Sequence, residues 1–209
     1  MTLTIVKLGG SAAFTPALRH LLTLLEGCGG RVCIVPGGGP FSESVRHAQS
    51  DMGFDDEAAH RMAILGMEQY AHALKSLCPS LHAVATRDDI LDSSRAGSAS
   101  LWFPAALLID DETIDHSWQV TSDSLAVWLA KMCGVDRVVL IKQVERLIET
   151  DVLTLSRRGI VDAALPDMLA DWPGALFIAN AGAEESLRAA IMQDRFDQLQ
   201  CVARQRGAA

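Results

Sequence analysis

Two lysines, one aspartate and two runs of glycine carry the chemistry that this sequence can do. Lys7 lies near the end of the apolar run Thr4-Ile5-Val6-Lys7-Leu8, and Gly9-Gly10-Ser11 follows at once. A second apolar run, Arg31-Val32-Cys33-Ile34-Val35-Pro36, leads into Gly37-Gly38-Gly39. Glycines after a strand let backbone N–H groups approach a ligand with no Cβ in the way. A turn that then opens a helix adds orphan N–H donors and the positive end of the helix dipole, which suits a phosphate. One Gly-Gly turn alone reads as a flexible connection. Two such turns, each between an apolar run and a helical pattern, read as a phosphate-binding pair. Lys142 ends the run Val138-Val139-Leu140-Ile141, and strand ends in open α/β sheets point into the binding crevice. A lone lysine there also marks the point where a chain meets solvent. Thr121-Ser122-Asp123-Ser124 opens a helical pattern. By itself it reads as an N-cap with a favourable first-turn charge. Beside two lysines, Asp123 reads as the group that orients them, or a magnesium ion, next to phosphates. The set fits phosphoryl transfer, which asks for positive charge on the equatorial oxygens and little covalent chemistry.

The elements that must position these groups follow from pattern. Thr15-Pro16 starts a helix whose face is Leu18, Leu21, Leu22 and Leu25, and Gly27, Gly29 and Gly30 end it. Residues 41–51 are helical. Residues 55–77 form the longest helix, with Asp55, Asp56 and Glu57 at its start and Ala59, Met62, Ala63, Gly66, Tyr70 and Leu74 along one stripe. That stripe is core or subunit interface. Residues 82–86 are a strand and 87–100 a polar loop with one helical turn. Residues 101–103 and 106–109 form one strand region broken at Pro104. Residues 110–117 are a charged loop, 121–131 a helix and 137–142 a buried strand. The stretch 145–174 is irregular with a short helix near 166–171. A strand at 176–179, a helix at 184–192 and a strand near 199–204 complete the chain. Strands alternating with helices predict an α/β fold: a three-layer αβα sandwich around a central, mostly parallel sheet, in one domain over residues 1–209.

Bulk properties narrow the function classes. An apolar fraction of 49% over 209 residues supports a substantial core. No apolar run approaches a membrane span, and no basic region precedes a long apolar stretch at the N-terminus. A net charge of −8 argues against a nucleic-acid partner. Five dispersed cysteines without a C-x-x-C pair read as free thiols in a reducing, cytoplasmic setting. The six histidines form no metal-ligand pattern, so no protein-held metal site is expected. The P-loop, dinucleotide and nucleophile-elbow patterns are all missing.

Four stretches resemble, in order, the motifs of the amino acid kinase superfamily: Val6-Lys7-Leu8-Gly9-Gly10-Ser11, Val35-Pro36-Gly37-Gly38-Gly39-Pro40-Phe41, Thr121-Ser122-Asp123-Ser124-Leu125-Ala126 and Val139-Leu140-Ile141-Lys142. Glu57-Ala58-Ala59-His60-Arg61-Met62-Ala63-Ile64 resembles a narrower branch, the small kinases of methanofuran-type cofactor synthesis, which convert a furan-methyl phosphate to its diphosphate. The resemblance implies the amino acid kinase fold, ATP with Mg2+, a small phosphorylated acceptor and a homodimer or larger homo-oligomer. It implies that Lys7 neutralises the transferring phosphoryl group, that Lys142 is the second cation and that Asp123 orients both. Gly9, Gly10, Ser11, Gly37, Gly38, Gly39, Thr121 and Ser122 are then the phosphate or nucleotide contacts. Arg46, His60 and Arg61 are the candidates to hold the acceptor, although His60 and Arg61 also fit plain solvent-facing helix positions. The chain departs from the family pattern after β-strand 137–142, where Gln143-Val144-Glu145-Arg146 replaces the usual Asp-Val-Asp-Gly. It also lacks the later glycine-rich loop with a lysine, having Arg157, Arg158 and Gly159 there. A non-catalytic phosphate- or nucleotide-binding subunit and a nucleoside monophosphate kinase are the rival readings.

Overall fold

A computed structural model describes residues 2–144 and 149–204. Its centre is a sheet of seven strands among the described residues, in the order β3-β4-β2-β1-β5-β6-β7. The strands are β1 (Thr4–Leu8), β2 (Val32–Pro36), β3 (His82–Val84), β4 (Ser100–Trp102), β5 (Arg137–Lys142), β6 (Ala175–Asn180) and β7 (Gln200–Cys201). All neighbours run parallel except β6 and β7, which are antiparallel. β1 and β2 are buried along their whole length, as the near-continuous apolar runs of a sheet covered on both faces require. The helices are α1 (Ala17–Glu26), α2 (Gly39–Met52), α3 (Asp56–Leu77), α4 (Arg87–Arg95), α5 (Ala105–Leu108), α6 (Ser122–Cys133), α7 (Val152–Arg157), α8 (Leu165–Ala170) and α9 (Glu184–Gln193). The mostly parallel α/β sandwich expected from the sequence is present.

Side-chain alternation sorts the sheet into two cores. Ile5 of β1 and Val138 and Leu140 of β5 pack with Leu125, Ala126 and Leu129 of α6. Val6 and Leu8, with Val139 and Ile141, pack against α1 and α9 on the other face. Lys7 shares the parity of Ile5, and Lys142 that of Leu140, so both strand-end lysines emerge on the α6 side. β1 connects to β2 on one flank while β5 lies on the other. The crevice between β1 and β5 is thus the point where strand order reverses, the usual ligand position in open α/β sheets.

Several expectations are corrected. Residues 87–95 form α4 rather than a loop. Thr86 Oγ1 accepts from Asp89 N at 3.2 Å, and Asp89 accepts back from Thr86 N at 2.9 Å, a complete capping box. Buried Ile90 and Ser93 then anchor the helix. Residues 106–109 do not extend a strand: β4 stops at Trp102, and Pro104 initiates the single turn α5. The stretch 145–174 contains α7, capped by Asp151 onto Thr154 N at 2.9 Å, as well as the expected short helix. After β1 the chain makes a 3-10 turn over Gly10–Phe14 before α1. Among the described residues no helix is long and apolar enough to cross a membrane. The five cysteines are free, four of them buried.

Candidate active site

The carboxylate of Asp123 joins the two strand-end lysines. Lys7 Nζ lies 2.8 Å from Asp123 Oδ1, and Lys142 Nζ donates to Asp123 Oδ2 at 2.5 Å. The Lys7 contact is close but poorly aligned for a hydrogen bond, so it acts as an ion pair. Asp123 and Lys7 are 3% and 6% exposed, so little water screens the cluster. Burial pushes the Asp123 carboxyl up, but Lys7 and Lys142 together outweigh it and hold the group below the usual carboxylate range. Burial, and then the Lys7 charge, push the Lys142 ammonium below its ordinary value against the pull of Asp123. Two cations share the Asp123 carboxylate, and the Asp162 carboxylate acts on Lys142 from further off, so the charges of the cluster are held close together with little water between them.

The two glycine turns form the floor beside it. They touch backbone to backbone: a Cβ on Gly10 would lie 2.4 Å from Gly39 N, and one on Gly37 would lie 2.6 Å from Gly10 N. Gly37 N also donates to Leu8 O at 2.9 Å, which ties the second turn to the end of β1. Gly39 has φ +56° and opens α2, with the ring of Tyr70 directly beneath it. Side chains at these positions would force the turns apart, which accounts for the glycine runs. Gly9 and Gly37 are buried behind the floor. Ser11 lies in the 3-10 turn, and its side chain lies outside the described part of the structure.

A cavity of about 280 Å³ opens over this floor, lined by Gly10, Gly38, Gly39, Arg46, His60 and Ser122, among others. Apolar Ile64, Met67, Val120 and Leu125 form part of its wall, with Trp118 and the carboxylates Glu43 and Asp56. The Arg46 guanidinium stacks 4.0 Å over the Trp118 ring, and Trp118 Nε1 donates to Gln49 Oε1 at 2.6 Å, so the wall is held from α2. His60 is only 6% exposed and stacks on His116 with ring centres 4.4 Å apart. Its Nε2 has no hydrogen-bond partner among the described residues. Burial, then the neighbouring His116, lower the imidazole from its usual value to about 4, so it is neutral near pH 7. His60 is therefore a cavity residue and not a solvent-facing one. Arg61 goes elsewhere: it pairs with Asp110 at 3.0 Å and Glu57 at 3.5 Å, beside the surface hollow of Glu112 and Asp115.

Thr121 and Ser122 stand at the start of α6, but Thr121 already has a partner. Its N–H and hydroxyl both donate to Asp162 Oδ2, each at 2.9 Å. Asp162 is the residue that sequence reading missed, because nothing around Val161-Asp162-Ala163 marks it and its partners are about forty positions away. Glu145 and Arg146, half of the motif that departs from the family pattern, lie outside the described residues.

Known proteins with related sequences and folds bear on this geometry. The chain is 26% identical over 147 residues to the [5-(aminomethyl)furan-3-yl]methyl phosphate kinase of Methanocaldococcus jannaschii, spanning 69% of this chain and 68% of that one. The UMP kinase of Bacillus anthracis superposes with a TM-score of 0.70 at 16% identity, covering 92% of each chain. The uridylate kinase of Archaeoglobus fulgidus gives 0.66 at 15%, covering 91% and 95%. A substrate complex of isopentenyl phosphate kinase gives 0.64 at 15%, covering 96% and 100%. The sequence profile of the amino acid kinase family matches residues 2–152, a stretch that holds Lys7, both glycine turns, Asp123 and Lys142. The chain belongs to the amino acid kinase family.

Proposed function

We propose that this protein transfers the terminal phosphoryl group of ATP to a small phosphate monoester, giving a diphosphate, in the synthesis of a methanofuran-type one-carbon cofactor. The observation that carries this reading is the Lys7–Asp123–Lys142 cluster beside a glycine-floored cavity. Lys7 and Lys142 neutralise the phosphoryl group in flight, and Asp123 holds their spacing. Amides of Gly10 and Gly38, which line the cavity, donate to phosphate oxygens, while buried Gly9 shapes the turn behind them. Arg46 and His60, both in the cavity lining, are the side chains nearest to hand for the acceptor's own phosphate. The curated relative takes an acceptor with an aminomethyl group on a furan ring, as its name states. The cavity here offers matching chemistry: Asp56 and Glu43 for an ammonium, and Ile64, Met67, Val120 and Leu125 for a flat apolar body.

Magnesium enters such a site on the nucleotide's phosphates and keeps much of its water. The described residues include no group of three or more metal-ligating side chains, and both Asp123 oxygens already face lysines. The described residues therefore form no Mg2+ cage. Free thiols fit a reducing, cytoplasmic setting.

The test is ATP turnover against a panel of phosphomonoesters that includes furan-methyl phosphates, isopentenyl phosphate and uridylate, with Lys7→Ala alongside. Diphosphate formed from a furan-methyl phosphate, and lost more than tenfold (~1.4 kcal/mol) in Lys7→Ala, supports the reading. A preference for uridylate favours a nucleoside monophosphate kinase. Binding without turnover of any acceptor favours a non-catalytic subunit.

A further inference from the structure

We infer that Asp162 is a positioning residue that sets the geometry of the Lys7–Asp123–Lys142 cluster by clamping the first turn of α6 from outside the helix. The inference rests on the phosphotransfer reading above for its kinetic consequence, but the clamp itself is a matter of hydrogen bonds.

Helix α6 is not capped by its own N-cap side chain. Thr121 stands at that position in an extended conformation and makes no cap bond into the helix. The orphan donors go to Asp162 instead. Its Oδ2 accepts from Thr121 N, Thr121 Oγ1 and Ser124 N, each at 2.9 Å. Its Oδ1 accepts from Ser124 Oγ. One half-buried carboxylate thus satisfies four donors on a single helical turn, and the positive end of the helix dipole favours its charge. The backbone reinforces the join, with Ala164 N donating to Gln119 O at 3.0 Å. Between the two clamped residues lies Asp123. With Thr121 and Ser124 fixed on either side, the turn has little freedom to rotate or slide. The position of the Asp123 carboxylate, and with it the spacing of the two ammonium groups, is then decided by the segment 162–164.

That segment follows β5 and α7, whereas Lys7 stands on the first strand. The clamp therefore joins the half of the sheet that holds Lys142 to the helix that faces both lysines. Burial and the nearby Asp123 charge raise the Asp162 carboxyl, against the bonds from Ser124 and Thr121. Asp162 also supports the Lys142 ammonium at a distance. No atom of Asp162 needs to touch a substrate for these effects.

Asp162→Ala and Asp162→Asn test the assignment. In Asp162→Ala, kcat should fall at least tenfold while KM for ATP and acceptor stays within about twofold, at a temperature where the variant remains folded. Asp162→Asn, which can still accept from the two amides, should recover part of that loss. A purely structural cap would lower the melting temperature and leave kcat below it unchanged, so a folded Asp162→Ala with kcat within twofold of wild type overturns the inference. If Asp162→Ala does not fold, Ser124→Ala removes one donor to the clamp, and kcat within twofold of wild type there overturns it equally. A wild type that turns over no acceptor defeats the phosphotransfer reading alone. The clamp is then judged by the Nζ–H resonances of Lys7 and Lys142, protected while both ammonium groups are held on Asp123. Their loss in Asp162→Ala supports the clamp, and their persistence overturns it.

Discussion

The carboxylate of Asp123 is the anion that lets two lysines stand together in a place little reached by water. Both of its oxygens face lysines, and the helix start it occupies is capped by Asp162, so on the proposed reading it acts through its charge. Asp123→Asn should therefore cost rate on the order of a hundredfold, the scale for losing one electrostatic group. It should also cost stability, up to ~3–5 kcal/mol for breaking a buried pair, less what Lys142 recovers by releasing its proton. Because the folded carboxyl titrates below its unfolded value, this contribution is full above the unfolded pKa. It is lost as pH falls through the folded one, so the acid loss should be smaller in the variant. Urea melts at several pH values together with kcat decide the matter, and turnover within tenfold of wild type sinks the role. His60 makes a second case at this scale. Its imidazole is held near 4 by burial and His116, against Asp115, with Arg61 adding to the lowering. A folded value below the unfolded one means that stability is present above about 6.5 and is lost as pH falls toward 4. If the acceptor phosphate docks beside His60, the NMR titration midpoint of His60 should rise when a phosphomonoester is added. An unmoved midpoint with the acceptor bound removes His60 from the site.

Turns and helix starts show how far a sequence declares its own site. The two glycine turns were legible because the backbone contact they make admits no Cβ, a need that leaves its mark in composition. Gly10→Ala puts that to the test: a Cβ 2.4 Å from Gly39 N collides with backbone that has no rotamer to escape into. The variant should lose several degrees in melting temperature and most of its affinity for phosphomonoesters, and a normal melt with normal KM would falsify the backbone-contact account. The strand-end lysines were legible too, since a period of two along buried strands fixes their common face once β1 and β5 are neighbours. Elements without a long apolar period were harder. α4 shows only two buried residues and was hidden in polar sequence, although its Thr86–Asp89 capping box was there to be seen. α5 is a single turn, in which Ala106-Leu107-Leu108-Ile109 reads equally well as strand. Asp162 was illegible in principle, because the donors it satisfies are supplied by a helix thirty-eight to forty-one residues away. The placement of Arg61 was lost for a related reason: helical phase separates it from His60 by about 100°, and Asp110 across the chain takes its charge.

At the scale of the whole molecule, α3 divides its faces between the cavity and the outside. His60, Ala63, Ile64 and Met67 line the cavity, and Tyr70, on the stripe that the sequence leaves as core or subunit interface, is buried beneath Gly39 and so belongs to the core. The outward positions Met62 and Leu65 remain 40% and 43% exposed, and Met52 at the end of α2 is 76% exposed. Single exposed apolar side chains need no explanation. Met62 and Leu65 are three residues apart on one helix, however, and so form a pair on a common face. They cover a small part of the roughly 800 Å² that each partner gives to a stable dimer, so they mark the middle of a patch and not its extent. We expect a homodimer that packs α3 against α3. Sedimentation equilibrium at micromolar concentration should give about twice the 22.5 kDa of one chain. Introducing a charge into the patch should dissociate it: Met62→Glu with Leu65→Glu places two like charges against their own copies across a two-fold axis. Because the cavity residues lie on the other side of the helix, the double variant should stay folded and sediment as a monomer. Wild type sedimenting as a monomer sinks the dimer, and a double variant that remains dimeric moves the interface away from α3. If the dissociated form keeps kcat but loses acceptor affinity, the helix transmits subunit contact to the cavity through His60 and Met67.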